Sequence, residues 1–233
     1  MSGHSKWASI KRSKGAADVK RGKLFSQLAK AITVAARIGK NLDTVVVTAR
    51  AANMPKENID RAIKKGQGEL GDGVVIEEVM YEGFGPGGAA LLMNALTDNR
   101  NRTIGALRAV ANKLDLTLGN PGAVRHLFQE RGIVEVPTGS DVDELELALI
   151  DAGVDDIEQE DDRIVGYVAP ERLTKVRAAV ESASLQLLAT RIALVPKLLH
   201  PITNEQQESL LKVMEAIEEL EDISSIETNA HFI

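Results

Sequence analysis

Between Ile133 and Val195 the chain reads strand, helix, strand, strand, helix, strand, an order that few folds can accept. The pieces are Ile133–Val136, Val142–Ala152, a weak Asp155–Glu160, Ile164–Val168, Pro170–Ala183 and Leu187–Val195. Short β-branched runs supply the strands, and apolar residues at helical spacing supply the helices. A βαββαβ order completed within about 65 residues predicts a ferredoxin-like unit. The unit is self-sufficient, so the sequence on either side of it must fold by other means.

That flanking sequence predicts two further parts. Ile76–Phe84 and Ala89–Thr97 read as strands joined by GPGG, with a helix after them carrying Ile104, Leu107, Ala111 and Leu114 on one face. Asn101 or Thr103 is expected to cap that helix, and Val124–Phe128 is expected to be another strand. After the ferredoxin-like stretch, Thr203 and Gln206 form a capping-box pattern ahead of a helix with Leu210, Met214, Ile217 and Leu220. A short strand at Ser225–Asn229 follows. This last helix and strand complete the β-α-β pattern left open at Phe128, which makes the ferredoxin-like unit an insertion. Ahead of all this come three helices: Asp18–Ile38, about Thr44–Asn53, and one opened by Pro55 and ended by Gly66. The fold class expected is α+β in three domains: a basic helical bundle over 1–70, an α/β domain over 71–130 plus 200–233, and the inserted domain over 131–199.

Charge divides along the same boundaries. Residues 1–70 hold 15 Lys/Arg against 5 Asp/Glu, and the remainder 13 against 29, which the net charge of −6 conceals. Such a split points to an anionic partner at the basic end, with nucleic acid the leading candidate. A scattered solvated surface is the bland alternative. Aromatic residues make up only 3% of the chain, so the cores must be Leu, Ile, Val and Ala. With no cysteine, disulfides, thiolate zinc sites and cysteine nucleophiles are excluded. No apolar run approaches the ~20 residues of a membrane span, and the basic start leads into no apolar signal region. A cytoplasmic location is expected, or the mitochondrial matrix for a eukaryotic source.

Enzyme chemistry finds little support. GFGPGG (Gly83–Gly88) suggests a phosphate loop, but the AALLMNAL after it reads as a strand, whereas such loops precede a helix. A tight turn is the better reading. His4, His126, His200 and His231 are dispersed without ligand spacing, and no nucleophile, base and orienting group can be assembled. No metal and no cofactor are expected. In DNRNRT (Asp98–Thr103), Arg100 and Arg102 could present donors to phosphate at a helix start; a polar strand-to-helix turn competes with that reading.

The opening MSGHSKWASIKRSKG sets Lys6, Lys11, Arg12 and Lys14 around the one tryptophan, Trp7. Lysine and arginine attract phosphate regardless of sequence, and an indole offers a stacking platform for an unpaired base. A transit peptide is one alternative; the other is that Trp7 and Ile10 staple the tail onto the bundle.

GHSKWASIKRSKGAADVKRGKLFSQL, ARAANMPKENIDRAIKKG, YEGFGPGG and ALTDNRNRT, taken in order, closely resemble the YebC/PmpR family. The family includes the mitochondrial translational activator of cytochrome oxidase. The resemblance implies three domains, one helical and two α/β. It also implies a non-enzymatic regulator of gene expression, either a translation factor at the large ribosomal subunit near the peptidyl-transferase centre or a transcriptional regulator on promoter DNA. The translation reading, in which stalling on proline-rich stretches is relieved, is favoured, because no helix-turn-helix spacing or dimerisation heptad stands out. A monomer is expected. By motif, Gly3, His4, Ser5, Lys6 and Trp7 would enter the RNA-rich site. Lys11, Arg12, Lys14, Lys20, Arg21 and Lys23 would hold surrounding backbone; apart from the resemblance, Lys30 is a further basic candidate, and Arg100 and Arg102 are candidate secondary phosphate contacts. This chain departs from the family in its short KNLDTVVVT connection after Gly39 and in LDLTLGNPGAVRHLF.

Overall fold

In the computed structural model, the residues described are 17–71, 75–139, 142–160 and 162–232. The chain divides into two compact units, Phe128–Lys197 and the sequence on either side of it.

The outer unit begins with three helices, α1 (Ala17–Ile38), α2 (Leu42–Ala51) and α3 (Lys56–Gly66). Gly39 (φ 72°) and Asn41 (φ 59°) take left-handed conformations, which lets the short connection reverse within a few residues. Leu28 and Ile32 of α1 pack with Ala49, Met54, Ile59 and Ala62, and Phe25 covers the edge of this cluster. The ends of the α1 apolar stripe, Leu24 and Ile38, are exposed. Gly66 closes α3 and also sets how near the two helices lie. A Cβ there would sit 2.4 Å from the Thr33 carbonyl oxygen on α1, so only glycine allows the approach. The opposite side of α1 is apolar too: Val34 packs with Ile76 and Leu96 of the following domain. A helix that buries two faces is committed to both neighbours, and this joins the bundle to the sheet.

That sheet is antiparallel, in the order β3-β1-β2-β9, with β1 Glu77–Phe84, β2 Ala90–Thr97, β3 Thr117–Leu118 and β9 Ile223–Thr228. Leu91, Met93 and Ala95 of β2 meet Leu107 of α4 (Arg100–Ala111) and Leu210, Val213, Met214 and Ile217 of α7 (Asn204–Glu218). The GFGPGG segment is the β1–β2 turn expected from sequence: Gly87 and Gly88 have φ of 71° and 79°, and Gly85 N–H donates to Ala89 O. The Thr203–Gln206 capping box is complete. A short parallel pair, β8 (His200–Pro201) with β10 (Ala230–His231), ends the unit.

Two expectations are corrected here. Val124–Phe128 is not a strand. Arg125–Leu127 form a single 3-10 turn, and the strand starts at Phe128 and runs to Pro137. The cause is Glu82, a buried carboxylate that accepts N–H bonds from Gly122 (2.6 Å), Val124 (2.7 Å) and Arg125 (2.8 Å) and so folds the loop around itself. Nor is α4 capped by Asn101 or Thr103. Asn99 takes the extended backbone of an N-cap and accepts from Arg102 N–H at 3.0 Å.

The inner unit runs β4 (Phe128–Pro137), α5 (Val142–Asp151), β5 (Asp156–Gln159), β6 (Arg163–Val168), α6 (Leu173–Ser182) and β7 (Ala189–Pro196). The antiparallel sheet order β5-β6-β4-β7 is that of a ferredoxin-like fold. Val134, Val136, Ile164 and Val168 face the helices, against Leu149, Val176 and Val180. On the other sheet face, buried Arg163 bridges Glu135 and Glu160, and Arg191 joins through Glu135.

Candidate nucleic-acid interface

The basic residues of the bundle serve two different purposes. Arg37, Arg50, Lys56, Arg61 and Lys64 are exposed on the three helices, and Lys40 is exposed in the connection between α1 and α2. Lys23 and Lys30, both on α1, are turned inward instead. Lys23 Nζ donates to the carbonyls of Glu218 and Leu220, at the C-terminal end of α7, where a cation also meets the negative end of the helix dipole. Gln27, one turn further on, donates its side-chain amide to Ile223 O.

Lys30 ends on Asp222, the residue that organises this junction. The Asp222 carboxylate is 6% exposed and accepts from Lys30 Nζ at 3.0 Å. Arg102 grips it as a fork, with Nε at 3.1 Å and one terminal nitrogen at 2.8 and 2.9 Å from its two oxygens. Thr103 Oγ1 donates from 2.9 Å. Burial pushes the pKa of Asp222 up, but the hydrogen bonds from Lys30, Arg102 and Thr103 outweigh it, and the carboxyl lies below its ordinary value. Hydrogen bonding to Asp222 in turn holds the Arg102 guanidinium above its ordinary pKa. One carboxylate thus ties α1, the start of α4 and the start of β9 together.

The DNRNRT segment therefore works mainly inside the molecule. Asn99 caps, Arg102 and Thr103 bind Asp222, and Arg100 pairs with Glu77. Arg100 and Arg102 retain exposed edges, at 66% and 50% of their side chains, so each can still meet a phosphate at its outer face. Gly3, His4, Ser5, Lys6, Trp7, Lys11, Arg12 and Lys14 lie outside the described residues. Lys20 and Arg21 fall in the first turns of α1.

Between the bundle and the sheet lies a cleft of about 520 Å³. Asn58, Arg61 and Lys65 line it from α3, one helical stripe at i, i+3 and i+7. Lys30 and Phe25 line it from α1, and Asp98, Arg102 and Glu221 from the far side. Sequence reading missed Asp222 and this cleft. Asp222 is 120 residues from Arg102 and 192 from Lys30, and no local periodicity encodes a contact at that separation. The acid in LEDISS, set just before an apolar strand, was the one available sign. Among the described residues no three His, Asp or Glu side chains converge to hold a metal ion, and no helix is long and apolar enough to cross a membrane.

A basic three-helix bundle pinned to an antiparallel sheet, with a ferredoxin-like unit inserted into the sheet domain, defines a class of multidomain α+β proteins. The chain belongs to the TACO1/YebC family. Residues 5–69 match the model of the TACO1/YebC protein N-terminal domain, and residues 76–230 match that of the second and third domains. A protein of Trichlorobacter lovleyi named "Probable transcriptional regulatory protein" is 41% identical over 236 residues, covering 98% of this chain and 95% of its own. One of the same name from Thermotoga petrophila is 42% identical over 238 residues, covering 98% and 93%. The crystal structure of a conserved hypothetical protein from Aquifex aeolicus matches with a TM-score of 0.85 and 38% identity, over 92% of this chain and 91% of that one.

Proposed function

We propose that this chain is a non-enzymatic, nucleic-acid-binding regulator of gene expression. In this reading it is a translation factor whose basic bundle and N-terminal segment contact large-subunit ribosomal RNA near the peptidyl-transferase centre and relieve stalling. The observation that carries the reading is the separation of labour among the cations of the bundle. Lys23 and Lys30 fasten it to the sheet domain, while Arg37, Lys40, Arg50, Lys56, Arg61 and Lys64 stay on the surface. A fixed bundle that keeps these cations exposed suits a structured polyanion, and the acidic remainder of the chain favours one orientation of approach. RNA is preferred over duplex DNA because no helix-turn-helix spacing or dimerisation heptad stands out in the sequence.

The experiment is co-sedimentation of the purified chain with large ribosomal subunits across a salt series. Binding that weakens steeply with salt is expected; no association at low salt overturns the reading. The names of the relatives favour a second reading, a DNA-binding transcriptional regulator. It requires a footprint at defined promoter sequences that survives competition by bulk DNA.

A further inference from the structure

The cleft between α1, α3 and the start of α4 has a polarity that matches one small class of ligand. Its volume of about 520 Å³ falls in the range of sites that hold small molecules, roughly 300–1,000 Å³. The α3 wall is cationic, with Arg61 exposed and Lys65 half-buried. Arg61 makes no ion pair among the described residues. The opposite wall carries the carboxylates of Asp98 and Glu221, the first paired with Arg102 at 2.8 Å and the second exposed. Between the walls Phe25, Ala29, Met54, Ala62 and Ile76 supply apolar surface, with Ser26, Lys30 and Thr33 among them. Asn58, half-buried on the cationic wall, adds a side-chain amide that makes no hydrogen bond among the described residues.

We propose that this cleft receives one unpaired nucleotide of a bound strand. This rests on the nucleic-acid reading above and names a site for it outside the N-terminal segment. The phosphate lies at Arg61 and Lys65, where a fork and a point charge both donate. The base lies against the half-buried Phe25 and Ala29, with Met54 behind them, since an aromatic or apolar wall accepts the face of any base. Asn58 offers both donor and acceptor to a base edge, and Glu221 can accept from an exocyclic amine across the cleft. A paired base cannot reach the apolar wall, so the site selects single strands over duplex.

The test uses the full chain with its five methionines methyl-labelled, of which Met54 alone lines the cleft. The probes are a short single-stranded RNA, the single-stranded DNA of the same sequence, and an RNA duplex, with affinity read by fluorescence anisotropy. On binding of single-stranded RNA the Met54 methyl signal is expected to move, and with duplex it stays. Movement with the DNA strand as well assigns recognition to base and phosphate; movement with RNA alone adds a sugar contact. Arg61→Glu is expected to lower single-strand affinity about tenfold and abolish the movement. Lys175→Glu, the same charge change on an exposed residue of α6 outside the cleft, is expected to leave the movement intact. Tight strand binding with Met54 unmoved, or equal movement with duplex, overturns the cleft site and leaves the nucleic-acid reading standing. Absence of any oligonucleotide or ribosome binding overturns the reading itself.

Discussion

Asp222→Ala tests the junction on which the placement of the bundle depends. The substitution deletes a carboxylate that accepts from Lys30, Arg102 and Thr103 and leaves those donors facing an apolar methyl. Removing one member of a fully buried ion pair costs about 3–5 kcal/mol. The partners here are less enclosed. Arg102 is 50% exposed and keeps Asp98 at 2.8 Å, so its share falls to that of a surface pair, below about 1 kcal/mol. Thr103 can still donate to Thr97 Oγ1 at 2.8 Å. Lys30, at 18% exposure, bears the main loss. A destabilisation of about 2–3 kcal/mol follows at neutral pH. Because the chain comprises two compact units, the assay is hydrogen exchange of the α1 amides beside a denaturant melt, which separates this unit from the inner one. The pH dependence has a fixed sign. The folded pKa of Asp222 is depressed, so its stabilisation is full above the unfolded carboxylate value of about 3.9 and is lost as pH falls through the folded value. The difference between wild type and Asp222→Ala should therefore be complete at pH 7 and shrink below about pH 4. A loss under about 0.5 kcal/mol at pH 7, or one unchanged down to strong acid, refutes the assignment of Asp222 as the pin.

Three further substitutions probe separate parts of the fold. Glu82→Gln removes the charge that gathers the Gly122, Val124 and Arg125 amides. It should cost about 1–3 kcal/mol and speed amide exchange in that loop; with the Glu82 pKa also depressed, the cost fades in acid. Gly87→Ala forces a side chain onto a backbone at φ 71°, with a Cβ 2.8 Å from the Gln206 side chain that completes the α7 capping box. A melt should read about 1–2 kcal/mol of destabilisation. Arg163→Ala leaves Glu135 and Glu160, at 5% and 2% exposure, without the cation between them. It should cost about 3–5 kcal/mol, confined in hydrogen exchange to the ferredoxin-like unit.

What could be read from the residues alone follows the range of the interactions. The capping box at Thr203–Gln206 was legible because both partners lie within one turn, and the GFGPGG turn because its Pro-Gly-Gly centre suits the left-handed φ that Gly87 and Gly88 adopt. The ferredoxin-like order was legible because each strand and helix has its own period. The Val124–Phe128 strand was misread because a buried acid 40 or more residues away captures those amides. The cap of α4 was displaced to Asn99 because Thr103, a good cap by type, is drawn to Thr97 and Asp222. At the candidate interface the excess of basic charge was legible by counting. Its division was not, since only packing distinguishes Lys30, held by Asp222, from Arg61, which stays exposed.

The most direct measurement of the central claim is co-sedimentation with large ribosomal subunits, comparing wild type with Lys6→Glu and Trp7→Ala. Salt-sensitive binding by wild type and a marked loss in both variants are expected. Unchanged pelleting of the two variants, or wild type that binds a defined promoter fragment and leaves the subunits in the supernatant, contradicts it.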